Sequence, residues 1–254
     1  MIFTDKWLLY QALIDSVAPD IRIATGLKSL SWALLQTDGL AGAGLAHFLP
    51  GSGPGPGEDQ IIGQKARDLA QLIFSWDNAD SCVGLAAINA ALATQLPAQD
   101  NPNYLISEGN AFDFFLPRVQ GRKVGVIGHF LQMDRLIETA GEISIFERNP
   151  LPGDYPDTAV EYLLPSQEVV FMTGTTIINK TAPRLLELAA GAEIYLVGPS
   201  VPLCPALFEL GFTGLSGTVV KDYPALALNL RQSNKGHFGF DKKIIQRINM
   251  IKRG

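Results

Sequence analysis

The stretch Lys123–Arg148, "KVGVIGHFLQMDRLIETAGEISIFER", decides the fold. A short run of Val, Gly and Ile is followed by an amphipathic segment and then by a second β-branched run. Strands without polar alternation belong to a parallel sheet covered on both faces. The rhythm continues with the strand-like segments "EVVFMTG", "EIYLVGPS" and "GLSGTVV". Between and after them lie "TAPRLLELAAG", "LCPALFELG" and "YPALALNLRQ", which read as helices. Alternation at this spacing gives right-handed crossovers and a Rossmann-like layer. The Pro-rich segment 149–167 interrupts it between the second and third strands and reads as a loop, too long for a simple connection and of a length that is often functional.

The first half has a different rhythm. An amphipathic helix over roughly residues 4–17 ends before Pro19. The runs "IRIATGL", "WALLQT" and "LAGAGLAHFL" are short and separated by turns, which predicts a three-stranded antiparallel meander. The Gly/Pro stretch "PGSGPGPGEDQ" is a loop. Helical patterns follow in "IIGQKARDLAQLIFSW" and "DSCVGLAAINAALATQL". Strands followed by helices describe an α+β unit. The expected fold class is α/β, with an α+β unit over residues 1–115 and a Rossmann-like unit over 116–254. The tail "DKKIIQRINMIKRG" reads as a terminal helix, because its isoleucines fall at helical spacing.

Composition narrows the functions. The chain of 254 residues is 47% hydrophobic and 18% charged, enough to bury a core. A net charge of −5 without a basic run argues against nucleic-acid binding. No apolar run is long enough for a membrane span, and the N-terminus lacks a signal-peptide pattern. With only Cys82 and Cys204, far apart, the expectation is a reduced, cytoplasmic protein. The sequence leaves a homo-oligomer open.

In a parallel sheet, ligands bind beyond the carboxyl ends of the strands. The first tip carries Gly125 and Gly128, where backbone N–H groups can approach an anion, and His129, a candidate acid–base. The second carries Glu147, placed to accept hydrogen bonds from a hydroxyl, with Arg148 beside it. The third is Thr173 to Thr181, "TGTTIINKT". A helix start needs one capping oxygen, and this stretch supplies more. The fourth is Gly198, Pro199 and Ser200. The fifth, near Gly214–Thr218, reads as a bend or bulge unless the ligand is large enough to reach it. In the other half, Asn89 within an apolar helix needs either a backbone partner or a place in an interdomain cleft. Cysteines and histidines show no zinc-ligand spacing, and no nucleophile motif or Walker A lysine is present.

The segments "VGLAAINAAL", "KVGVIGHF", "TGTTIINKT" and "EIYLVGPSVPL", in that order, resemble the bacterial and archaeal family described as "putative heavy-metal chelation" proteins. The resemblance covers nearly the whole chain. It implies an enolase N-terminal-like domain joined to a Rossmann-like domain, with a ligand site between them. Its residues carry over as Asn89; Thr173, Gly174, Thr175, Thr176 and Asn179; and Gly198, Pro199 and Ser200. No cysteine or histidine cluster accompanies these positions, which argues against direct chelation by soft ligands.

Three readings follow. One is a binding protein whose cleft holds a nucleotide-like or anionic ligand, a divalent metal, or a metal carried by such a ligand. Another is a transferase or lyase using His129 or Glu147. The third is a structural protein whose cleft is only a domain seam.

Overall fold

The computed structural model describes residues 5–40, 42–130, 132–232 and 241–253. Near the N-terminus a helix spans Leu8–Asp15. Strands β1 (Ile23–Lys28), β2 (Trp32–Thr37) and β3 (Ala43–His47) then form the expected antiparallel meander, in the order β1-β2-β3. Side chains alternate across a strand, so β2 feeds two cores. Ala33 and Leu35 join the core that contains the helix Asn78–Ala93. Trp32 and Leu34 join a cluster with Leu226 and Leu230, from the C-terminal helix Tyr223–Gln232. The small sheet is thus held between a helix of its own half and one from the other half.

The helix Asn78–Ala93 starts at Asp77, whose carboxylate accepts from Ala79 N at 2.7 Å. Its run of Ala and Gly is buried almost all round. Small residues let backbones approach: a Cβ on Gly44 of β3 would lie 2.1 Å from Ala90 N.

The larger sheet has eight strands: β4 (Tyr104–Glu108), β5 (Lys123–Ile127), β6 (Glu142–Glu147), β7 (Tyr155–Pro156), β8 (Val169–Thr173), β9 (Glu193–Val197), β10 (Gly214–Val220) and β11 (Ile245–Lys252). Their order is β4-β11-β10-β9-β8-β5-β6-β7. The pairings from β10 through β7 are parallel. Taken in chain order, these strands follow the 3-2-1-4-5-6 arrangement of dinucleotide folds. On one face Val124, Val126, Phe171 and Tyr195 pack with Phe112 and Phe115. On the other, Val170, Met172 and Leu196 enter the same core as the helix Asn78–Ala93. Full burial of a side chain of this size is worth about 1.5–3 kcal/mol, so this shared core binds the halves firmly.

The structure corrects three expectations. The tail is not a helix: Ile245–Lys252 is β11, antiparallel to β10 and to β4. Gly214–Thr218 is neither bend nor bulge but part of the regular strand β10, whose register with β11 is unbroken. The segment 149–167 is not structureless; it holds β7 and short helical turns. Strand β4, which precedes residue 115, hydrogen-bonds into the larger sheet.

Candidate functional site

Strand order reverses between β5 and β8: β6 follows β5 on one side, and β8 returns on the other. Crevices in parallel sheets open there, beyond the carboxyl ends. A cavity of about 620 Å³ lies at this place, walled on its far side by Trp32, His47 and Leu49 from the small sheet and the turn after it. That is ample room for a small organic ligand, since such pockets run from about 300 to 1,000 Å³.

The β5 tip turns sharply at Gly128, whose φ of 96° disfavours any residue with a Cβ. The turn brings His129 against the β6 tip. There the Glu147 carboxylate accepts from His129 N at 3.0 Å and from Arg148 N at 2.8 Å. The His129 imidazole is partly exposed, and its Nδ1 lies 3.2 Å from Oδ2 of Asp154, a nearly buried carboxylate that also accepts from Leu151 N. A carboxylate on Nδ1 fixes the ring's orientation and directs Nε2 for proton transfer or ligation. Asp154 comes from the segment 149–167, whose length hinted at function without naming this residue.

The β8 tip divides into two sets. Thr173 and Thr175 line the cavity, with their hydroxyls 3.1 Å apart. Thr176 is buried and donates to Thr173 O at 2.7 Å. Asn179 accepts from Thr181 N and Thr181 Oγ1, and so caps the turn into the helix Ala182–Leu188. Gly174 is not in the wall either; a Cβ there would sit 2.9 Å from Val201 N, so it serves close packing of the β8 and β9 turns.

Gly198, Pro199 and Ser200 line the cavity at the β9 tip. Ser200 Oγ accepts from His47 N at 3.0 Å, which docks β3 on this turn. Gly125 is mid-strand under Leu164 and Gln167, outside the wall. Asn89 is also outside it, and bonds to the backbone of β3 and of the β9 turn. Its Oδ1 is buried and has no partner among the described residues. The structure therefore gathers Gly128, His129, Glu147, Thr173, Thr175, Gly198, Pro199 and Ser200, and leaves Gly125, Asn89, Gly174, Thr176 and Asn179 behind them.

Several wall residues had no signal in a tip-by-tip reading of the sequence. Trp32 and His47 meet edge-to-face with centroids 4.8 Å apart. Phe112 and Phe130 do the same at 5.4 Å. Asn110 caps the helix Ala111–Phe115 by accepting from Phe112 N, and it donates to Gln132 Oε1 at 3.2 Å. Arg247 enters from β11; partial burial draws its guanidinium below the ordinary arginine value. His237 lies outside the described residues.

A family model described as "Putative heavy-metal chelation", DUF364, matches residues 110–248. The chain belongs to the DUF364 family. A second model with the same description, DUF4213, matches residues 10–92. A DUF364 protein of unknown function from Desulfitobacterium hafniense is similar over 100% of both chains, with 30% identity and a TM-score of 0.83. A DUF364 protein from Pyrococcus horikoshii, 21% identical, shares the fold over 96% of this chain and 98% of its own, at a TM-score of 0.76. An uncharacterized protein of Methanocaldococcus jannaschii is 28% identical over 210 residues, 79% of each chain. These relatives carry no assigned activity.

The DUF364 description invites a test of the donor atoms. Soft metals are held by thiolates. Burial pushes the thiols of Cys82 and Cys204 up, and the Cys204 thiol is spent on Ser16 Oγ at 3.2 Å. Among the described residues no three His, Cys, Asp or Glu side chains are placed to share a metal ion. These residues do not fit a bare heavy-metal ion. No helix among the described residues is long and apolar enough to cross a membrane.

Proposed function

We propose that the cleft binds a small organic ligand, nucleotide-like or anionic, and that any heavy metal reaches the protein as part of such a ligand. The observation that supports this is the position of the cavity: at the strand-order reversal, edged by the Gly128 and Gly198 turns and by the Glu147 carboxylate. Glycine turns admit a ligand close to backbone N–H groups, and a carboxylate at the second tip accepts from hydroxyls. The apolar walls supply contact area, as in most small-molecule sites.

The test is native mass spectrometry of protein purified without added ligand, paired with thermal shift against adenine nucleotides, S-adenosylmethionine and bare divalent metals. A bound organic mass, or stabilisation by an organic compound, is the expected result. Stoichiometric binding of a bare metal ion with no organic partner would overturn it.

A second reading, that the cleft is catalytic, is favoured by the His129–Asp154 pair. An imidazole oriented by a buried carboxylate is equipped for general acid–base work on a bound ligand. It predicts a turnover, found by substrate screening, that is lost in His129→Gln while folding persists. Turnover unchanged in that variant would reject the role.

A further inference from the structure

Apart from its two histidines, the charged groups of the described cavity wall are Glu147 and Arg247. They stand on opposite flanks. From β6 the sheet runs β5, β8, β9, β10 and then β11. These are five inter-strand steps of about 4.8 Å, so the two strand axes are roughly 24 Å apart before the side chains lean inward. The cleft is therefore long and has an acidic end and a basic end.

The basic end is built into the β10–β11 seam. Two cross-strand pairs share one face there, Ser216 opposite Asn249 and Thr218 opposite Arg247. The first pair is buried and used up within the fold: Ser216 Oγ donates to Asn249 Oδ1 at 2.7 Å, and Asn249 Nδ2 reaches Gly109 O at 3.3 Å. The second pair is in the cavity wall. Thr218 makes no side-chain hydrogen bond to the described residues, so its hydroxyl can serve a ligand. A guanidinium has five N–H donors in a planar fork, enough to keep contacts with the protein and still present two in parallel to an oxyanion. Partial desolvation strengthens that attraction relative to bulk water.

We propose that Arg247, with Thr218 beside it, receives an oxyanion at one end of the ligand, while Glu147 accepts hydrogen bonds from a hydroxyl- or amine-bearing group at the other. The proposal rests on the small-molecule reading of the cleft and adds its direction: the ligand is elongated and lies across the strand tips with its anion towards β11. The recognised chemistry is a phosphate or a carboxylate.

Titration of ¹⁵N-labelled protein with inorganic phosphate, and separately with acetate, tests it through the Arg247 Nε–Hε correlation and the Thr218 amide. Saturable shifts at both, in the millimolar range, are expected, and the stronger of the two anions identifies the class. Arg247→Met should weaken the response about ten-fold or more, and Arg247→Lys should restore part of it, because a lysine keeps the charge without the fork. Arg184→Met, remote from the cleft, should leave it unchanged. Circular dichroism melts verify that each variant folds. Shifts that fail to saturate, spread over the exposed arginines or survive Arg247→Met would overturn the assignment. Anion capture at Arg247 beside an empty co-purification screen would instead count against the small-molecule reading and leave the basic end standing.

Discussion

The side-chain amide of Asn89 lies 3.1 Å from the carbonyl oxygen of Ser200, and the same nitrogen donates at 2.9 Å to the carbonyl oxygen of Leu45. One Nδ2 thus ties a helix of the first half to β3 and to a turn of the larger sheet. Asn89→Ala would leave two buried carbonyls without this donor, for an expected loss of about 2–3 kcal/mol. Asn89→Asp should be worse, because it turns a carboxylate toward two carbonyl oxygens in a site with little water. Urea unfolding of both variants checks the order. Equal and small losses would show that the helix amide is not what joins the halves.

A second prediction concerns Gly44. Its hydrogen faces the Asn78–Ala93 helix, where a Cβ would come 2.1 Å from Ala90 N and 2.6 Å from the Asn89 Cβ. No side-chain rotation relieves a clash with backbone. Gly44→Ala should therefore push the helix off β3 and destabilise by more than the roughly 1–3 kcal/mol typical of overpacking. Thermal melting reads this directly; a variant within a few degrees of wild type would mean that the helix can slide on the sheet.

The sequence made much of this architecture legible, for local reasons. Turn residues separate β1, β2 and β3, and near-continuous β-branched runs mark β5, β8 and β9. β11 reads as a helix in sequence because Ile244, Ile245, Ile248 and Ile251 also fit helical spacing. The competing signal was there: Arg247 and Asn249 alternate with Ile248 and Met250, which is the period of a strand. Pairing with β10 and β4 decided between them, and pairing is not local. The same holds for the cavity. Gly128, Glu147 and Thr173 are at strand tips by position alone, whereas Arg247 and Trp32 reach the wall through contacts between distant segments, and Asp154 reaches His129 in the same way. Thr176 and Asn179 look like ligand groups in sequence, but local hydrogen bonds occupy them.

The His129–Asp154 contact makes a prediction about tautomers. With Asp154 Oδ2 at 3.2 Å from Nδ1, the neutral ring should carry its proton on Nδ1 and leave the Nε2 lone pair for a ligand. Long-range ¹⁵N correlation spectra of the neutral ring should show this form in the wild type. In Asp154→Ala the acceptor is gone and the Nε2–H form should grow. A wild-type ring already in the Nε2–H form would remove the structural basis for His129 as a base.

The last prediction concerns Lys180 and pH. Its Nζ donates to Ser81 Oγ at 2.7 Å and to Ile178 O at 2.8 Å, and lies 5.8 Å from the centre of the Tyr10 ring. Burial lowers its pKa to about 8 from an ordinary 10.5. Between those values the unfolded chain holds more protons than the folded one, so this group makes stability rise with pH. Below about pH 8 the ammonium is charged in both states and its full penalty is present; above 10.5 it is neutral in both and the penalty is gone. Tyr10 acts in the opposite sense, because burial raises its pKa and its contribution is lost as pH climbs. A direct scan of the wild type would mix the two, and comparison with Lys180→Met separates them. Both chains keep the same tyrosine and the same left-handed backbone, with φ 65° at residue 180. The stability of wild type relative to Lys180→Met should therefore increase through that window and stay flat on its acid side. Urea unfolding at a series of pH values measures the difference. A difference that does not change with pH would mean that Lys180 reaches water freely in the folded protein.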